Sequence, residues 1–79
     1  MPKCKSLGKR IWTARTDKHM SQERLSEILE CYPRLIVEWE YNKIVPSAHH
    51  LRDIALALDV SVDWLLGIEH EKEVKRDYS

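Results

Sequence analysis

Apolar residues recur along this chain at helical spacing. Leu7, Ile11, Trp12 and Ala14 fall at offsets of 0, 4, 5 and 7, which puts them on one side of a helix. They predict a first helix from about Lys5 to Asp17. Ser21 stands just before Gln22–Glu23–Arg24–Leu25, where a serine hydroxyl can accept from first-turn amides. Leu25, Ile28 and Leu29 then give a short second helix its apolar face. Tyr32–Pro33 marks the next boundary, because proline suits a first helical turn and disfavours helix in the residue before it. Ile36 and Trp39 share a face at i and i+3, so a third helix is predicted from about Pro33 to Tyr41, with Asn42 as a left-handed stop. Ser47 caps a fourth helix carrying Leu51, Ile54, Ala55 and Leu58, the strongest repeat in the chain. Ser61 opens a short fifth with Val62, Leu65 and Leu66, and Gly67 closes it.

Strand signals are nearly absent. Phenylalanine is missing, glycine occurs twice, and no Asn-Gly or Asp-Gly pair separates alternating runs. The expected fold class is therefore all-α, and the pair of helices joined around Glu30–Pro33 has the spacing of a helix-turn-helix. Periodicity alone equally describes a generic small bundle.

A chain of 79 residues suits one domain and buries only about 60% of its unfolded surface. A large catalytic cleft or a second, ligand-sensing domain is not expected. No apolar run is long enough to span a membrane and no secretory signal opens the chain, so the cytoplasm is the expected compartment. Cys4 and Cys31 have no CxxC spacing and are expected as reduced thiols. His49 and His50 are adjacent and cannot share one helical face, so no metal and no cofactor are expected. No nucleophile–base pair or Gly-rich phosphate loop points to an enzyme.

Net charge is zero, but it is unevenly spread. Residues 1–18 carry Lys3, Lys5, Lys9, Arg10, Arg15 and Lys18 against Asp17, a sum of +5, whereas residues 23–40 sum to −3. A basic amino-terminal third is compatible with an anionic partner and also with ordinary solvated charge.

The residues themselves say more than their periodicity. Leu7-Gly8-Lys9-Arg10-Ile11, then Arg15, then Met20-Ser21-Gln22-Glu23-Arg24-Leu25-Ser26 resembles the opening of the Cro and phage-repressor (XRE-type) helix-turn-helix family. Ile36 to Lys43, Pro46-Ser47 and Leu51 to Gly67 are similar to the rest of it, without a gap. The resemblance implies a five-helix, lambda-repressor-like DNA-binding domain over residues 5–67, its helix-turn-helix at about 21–41, with a charged tail at 68–79. Some positions depart from the family. Glu30 stands where a turn glycine is usual, Ser26 where alanine is usual, and Asn42 where glycine follows the third helix. Pro33, Leu35 and Val37 replace polar residues.

The resemblance also implies roles. Gln22 matches a glutamine that contacts phosphate and braces the recognition helix, and Arg15 and Glu40 match an ion pair between the first and third helices. Arg34 is placed to fork onto guanine or to clamp a phosphate, Val37 to meet a thymine methyl, and Glu38 to accept from cytosine. Tyr32, Pro33, Tyr41, Asn42 and Lys43 lie at the ends of the third helix, where backbone contacts are expected. Lys43 and some of Lys3, Lys5, Lys9 and Arg10 would add phosphate contacts. Ile36 and Trp39 are expected in the core. Trp64 fits either a two-fold interface with Leu66 and Ile68, joined by Val74 and Tyr78 of the tail, or packing within the chain. The implied function is a sequence-specific, repressor-like transcriptional regulator, a homodimer on a near-palindromic operator in double-stranded DNA. The alternative is a protein-interaction module on the same fold, antitoxin-like or a regulator's partner, with Pro33, Leu35, Val37 and Glu38 facing a protein.

Overall fold

Serine hydroxyls start four of the five helices found among the described residues, 6–68 of the computed structural model. The helices are α1 (Leu7–Asp17), α2 (Gln22–Leu29), α3 (Pro33–Glu40), α4 (Ala48–Leu58) and α5 (Val62–Leu66). Ser6, Ser21, Ser47 and Ser61 each accept from the amide three residues on, at 2.9–3.2 Å. Ser6 is the cap that sets the start of α1 at Leu7. α3 has no such cap; Pro33 opens it, with Tyr32 extended at φ −79° and ψ 142°.

All five helices end alike. His19, Glu30, Asn42, Asp59 and Gly67 take left-handed backbone, at φ between 55° and 77°. In each case the following amide reaches back five residues, as from Cys31 to the Ser26 carbonyl at 2.9 Å and from Lys43 to that of Glu38 at 2.8 Å. Only Asn42 and Gly67 advertise this stop by residue type.

Every helix sends at least one side chain into a single core. Ile11, Leu25, Ile36, Trp39, Ile54, Leu58 and Leu65 are fully buried, each such apolar side chain contributing roughly 1.5–3 kcal/mol. Leu65 is the core residue of α5, whereas Leu66 is exposed. His50 lies against the Trp39 ring at 4.9 Å between centroids and seals the α4 side. No helix among the described residues is long and apolar enough to cross a membrane.

α1 crosses the end of α3 at Gly8. A Cβ there would sit 2.4 Å from the Glu40 carbonyl oxygen and 2.6 Å from that of Trp39. Only a residue without a side chain permits that approach, and it fixes where the end of α3 lies.

Candidate nucleic-acid interface

A polar knot under the surface sets the geometry. Arg15 on α1 donates to both oxygens of Glu40 on α3, at 2.6 and 3.1 Å, and its remaining terminal nitrogen donates to the Met20 carbonyl at 2.7 Å. The Gln22 side-chain amide, in the first turn of α2, donates to the same Glu40 at 3.0 Å. The pair is almost completely buried, with side-chain exposures of 9% and 5%. A pair so placed adds little net stability but is costly to break from one side. Its effect is geometrical, locking α1, the start of α2 and the end of α3 together. Asn42 adds a second tie: its Oδ1 accepts from the Gly8 amide and its Nδ2 donates to the Ser6 hydroxyl, both at 3.0 Å.

α3 is amphipathic across this frame. Ile36 and Trp39 point into the core, while Tyr32, Pro33, Arg34 and Tyr41 are exposed and Val37 and Glu38 half-buried. The Arg34 side chain is 84% exposed, and its ion pair with Glu38, Nε to Oε2, is long at 3.4 Å. An exposed i,i+4 pair of this kind is worth only about 0.3–0.5 kcal/mol, so the guanidinium is readily redirected. Tyr32, Pro33, Arg34, Leu35 and Glu38 line one depression of about 440 Å³. Arg34, Val37, Glu38, Tyr41 and Lys43 line the next, of about 450 Å³. Tyr41 also borders a third cleft, of about 370 Å³, together with Gln22, Asn42, Lys9 and Trp12.

Tyr32, Pro33, Arg34, Val37, Glu38, Tyr41 and Lys43 thus share one continuous surface, with Gln22 and Asn42 at its edge. The Asn42 side chain is committed to α1, and one donor of Gln22 to Glu40. Trp64, Leu66 and Ile68 lie apart, around α5. Trp64 is half-buried against the core, with the Arg10 guanidinium 5.1 Å from its ring centre and Arg10 Nη1 donating to its carbonyl at 3.0 Å. Leu66 and Ile68 are about half exposed. Val74, Tyr78 and most of the 68–79 tail lie outside the described residues, as do Lys3, Cys4 and Lys5.

Arg10, one of the amino-terminal cations from which phosphate contacts are expected, is instead buried against α5. Charge pattern could not show this, since its partner lies 54 residues away. Sequence reasoning also missed the pairing of Lys9 with Trp12, whose only signal is an i,i+3 spacing, and the crossing at Gly8, signalled only by a glycine inside a helical repeat. Burial pushes the Cys31 thiol above its ordinary pKa of 9.0, as suits a residue packed under the turn. His49 pairs with Asp53 at 3.4 Å, and no group of three metal-binding side chains occurs among the described residues.

Comparison with known proteins agrees with this architecture. A helix-turn-helix domain family model matches residues 8–71. Multiprotein-bridging factor 1a of Arabidopsis thaliana is 38% identical over 52 residues, covering 66% of this chain and 37% of that protein. The chain spans little more than a third of that relative's length. The crystal structure of the P22 c2 repressor protein, in complex with synthetic operator 9T in the presence of Tl+, is similar with a TM-score of 0.78 and 26% identity. That match covers 82% of this chain and 98% of the repressor chain. With its family model spanning most of the sequence and all five helices accounted for, the chain belongs to the helix-turn-helix family, in its Cro and phage-repressor, XRE-like branch.

Proposed function

We propose that this protein is a DNA-binding, repressor-like transcriptional regulator that reads a near-palindromic operator as a homodimer, with α3 as its recognition helix. The observation that carries the proposal is the outward face of α3: an accessible Arg34 on a helix pinned by the Arg15–Glu40–Gln22 knot, in a fold superposable on a repressor solved with its operator. Arg34 is the guanine reader or phosphate clamp, and Val37 and Glu38 flank it. Tyr32, Pro33, Tyr41 and Lys43 meet the backbone on either side, with Gln22 and Asn42 bordering the contact. One such helix covers too few base pairs to specify a genomic site. Two copies joined through Leu66, Ile68 and the outer edge of Trp64 would place their helices about 34 Å apart, one turn of DNA. The protein acts in the cytoplasm and catalyses no reaction.

Selection of duplexes from a random library, repeated with Arg34→Ala, tests this. Enrichment of a two-fold symmetric site is expected, with Arg34→Ala losing about 1–3 kcal/mol on it and relaxing one base pair per half-site. A library that returns no enriched duplex rejects the proposal. One observation favours a protein-interaction module as the second reading: the depression beside Tyr32, Pro33 and Leu35 is largely apolar and borders acidic Glu38. That reading predicts no enriched duplex, and loss of partner capture on Leu35→Glu.

A further inference from the structure

The cleft at the seam of α1, α2 and α3 has a filled floor and an open rim. Its floor is Glu40, whose oxygens receive Arg15 and Gln22, and Asn42, which is bonded to Gly8 and Ser6. Its rim carries Trp12, which is 44% exposed and takes no part in the core. One turn earlier on α1, Lys9 holds its ammonium 4.4 Å from the centre of the Trp12 ring. Among the described residues, no hydrogen bond engages the indole N–H of Trp12 and no carboxylate pairs with Lys9.

A large aromatic ring that is nearly half exposed, with a cation over it, leaves both groups accessible to a ligand. The ring face attracts the ammonium, which favours a position of Lys9 over the Trp12 ring beside the cleft. The indole keeps one neutral donor and a broad apolar face. Together these groups offer a full positive charge, a single N–H and a flat surface, which fit a monoanionic oxyanion flanked by an apolar ring. A DNA phosphodiester beside its deoxyribose has that chemistry. The position agrees: Tyr41 borders both this cleft and the depression that holds Arg34 and Lys43, so the rim continues the outward face of α3. The Glu40 carboxylate does not oppose an anion here, because Arg15 balances it.

We propose that Lys9 and Trp12 form a phosphate clamp on α1 that grips the backbone of the same duplex α3 reads; this rests on the DNA-binding proposal above. The ammonium supplies the charge, the indole N–H one hydrogen bond, and the ring packs on the sugar. Neither residue touches a base edge, so the clamp adds affinity without sequence preference.

Lys9→Gln, Trp12→Phe and Arg34→Ala separate these roles. Each is titrated against a duplex recovered by selection and a shuffled duplex of equal length, across a series of salt concentrations. Lys9→Gln is expected to lose roughly three- to tenfold in affinity, the worth of one net hydrogen bond, equally on both duplexes. Its slope of log K on log salt should become shallower by about 0.9 per bound protomer. Trp12→Phe keeps an aromatic ring and removes the N–H, so affinity falls while the slope stays. Arg34→Ala loses mainly on the selected duplex. Unchanged thermal midpoints for Lys9→Gln and Trp12→Phe are part of the expectation, since both side chains stand outside the core. If those two bind both duplexes as wild type does while Arg34→Ala is impaired, the clamp is wrong and the recognition helix stands. A wild type that binds neither duplex overturns both.

Discussion

Gly8→Ala sets two physical expectations against each other. Inside an ordinary helix the change stabilises by roughly 0.5–1 kcal/mol, because alanine loses less backbone freedom on folding. Here the new methyl would lie 2.4 Å from the Glu40 carbonyl oxygen, 2.6 Å from that of Trp39 and 2.8 Å from the Glu40 carbonyl carbon. All three atoms are backbone, so no side-chain rotation relieves the clash, and α1 must move off α3 by roughly 1 Å to reach normal contact distances. That movement stretches the Gly8–Asn42 bond and the Arg15–Glu40 pair, which both span the two helices. Overpacking costs about 1–3 kcal/mol, and a weakened hydrogen bond adds about 1 kcal/mol. After the helical gain is deducted, a net loss of about 1–3 kcal/mol is expected. For a domain of this size each kcal/mol moves the midpoint by roughly 4–8 °C, so melting followed by circular dichroism should show a fall on the order of 10 °C. Gly67→Ala is the control: it has the strained φ of +77° but no contact closer than 3.8 Å, and should lose only about 1 kcal/mol. A Gly8→Ala protein as stable as wild type would refute the close crossing.

Glu40→Gln leaves the buried Arg15 opposite a neutral group and should destabilise by on the order of 3 kcal/mol in urea titration; the double change Arg15→Met with Glu40→Leu should recover most of that loss. Glu30→Gly should stabilise by about 0.5–1 kcal/mol, because φ is 59° there, whereas Glu30→Ala should bring no gain. Glu38→Gln removes the carboxylate that competes for Arg34, so affinity for unrelated duplexes should rise in a binding titration while discrimination between sequences narrows. The raised Cys31 pKa makes the folded state hold its proton longer than the unfolded state, so this stabilisation is complete below pH 9.0 and declines above it. In a Cys4→Ser background, alkylation of Cys31 near neutral pH should be slower in the folded protein than in urea; equal rates would count against its burial.

The elements were legible because each is encoded within a few residues. Ser21, Ser47 and Ser61 announce their helices, Pro33 opens α3, and the Leu51–Leu58 repeat faces the core as its spacing requires. The Arg15–Glu40 pair came from resemblance, since no local rule joins residues 25 apart. What stayed hidden depends on helices meeting. Arg10 looked like one more cation of a basic segment until α5 placed the Trp64 ring and carbonyl beside it. Trp64 itself was balanced between two roles, and the chain's own Arg10 and core now occupy much of it. Left-handed backbone at His19, Glu30 and Asp59 was unreadable because these residue types do not demand it.

Which side chains remain available for a partner follows from which ones the fold has already committed. Arg10 and Arg15 are basic in the sequence, yet both are buried and bonded within the chain. Asn42 and one donor of Gln22 are engaged in the same way. Among the described residues, the cations that remain on the continuous surface around α3 are Lys9, Arg34 and Lys43, with Glu38 beside the second. On the DNA-binding proposal, so small a set predicts a modest electrostatic attraction, with a salt slope of roughly −0.9 for each phosphate neutralised. On the same proposal, the fold's internal ties predict weak non-specific binding, with discrimination coming from close fit along α3. The apolar character of Val37, Leu35 and Pro33 fits that proposal too, because an apolar side chain can meet a thymine methyl in the major groove but supplies no charge to a phosphate.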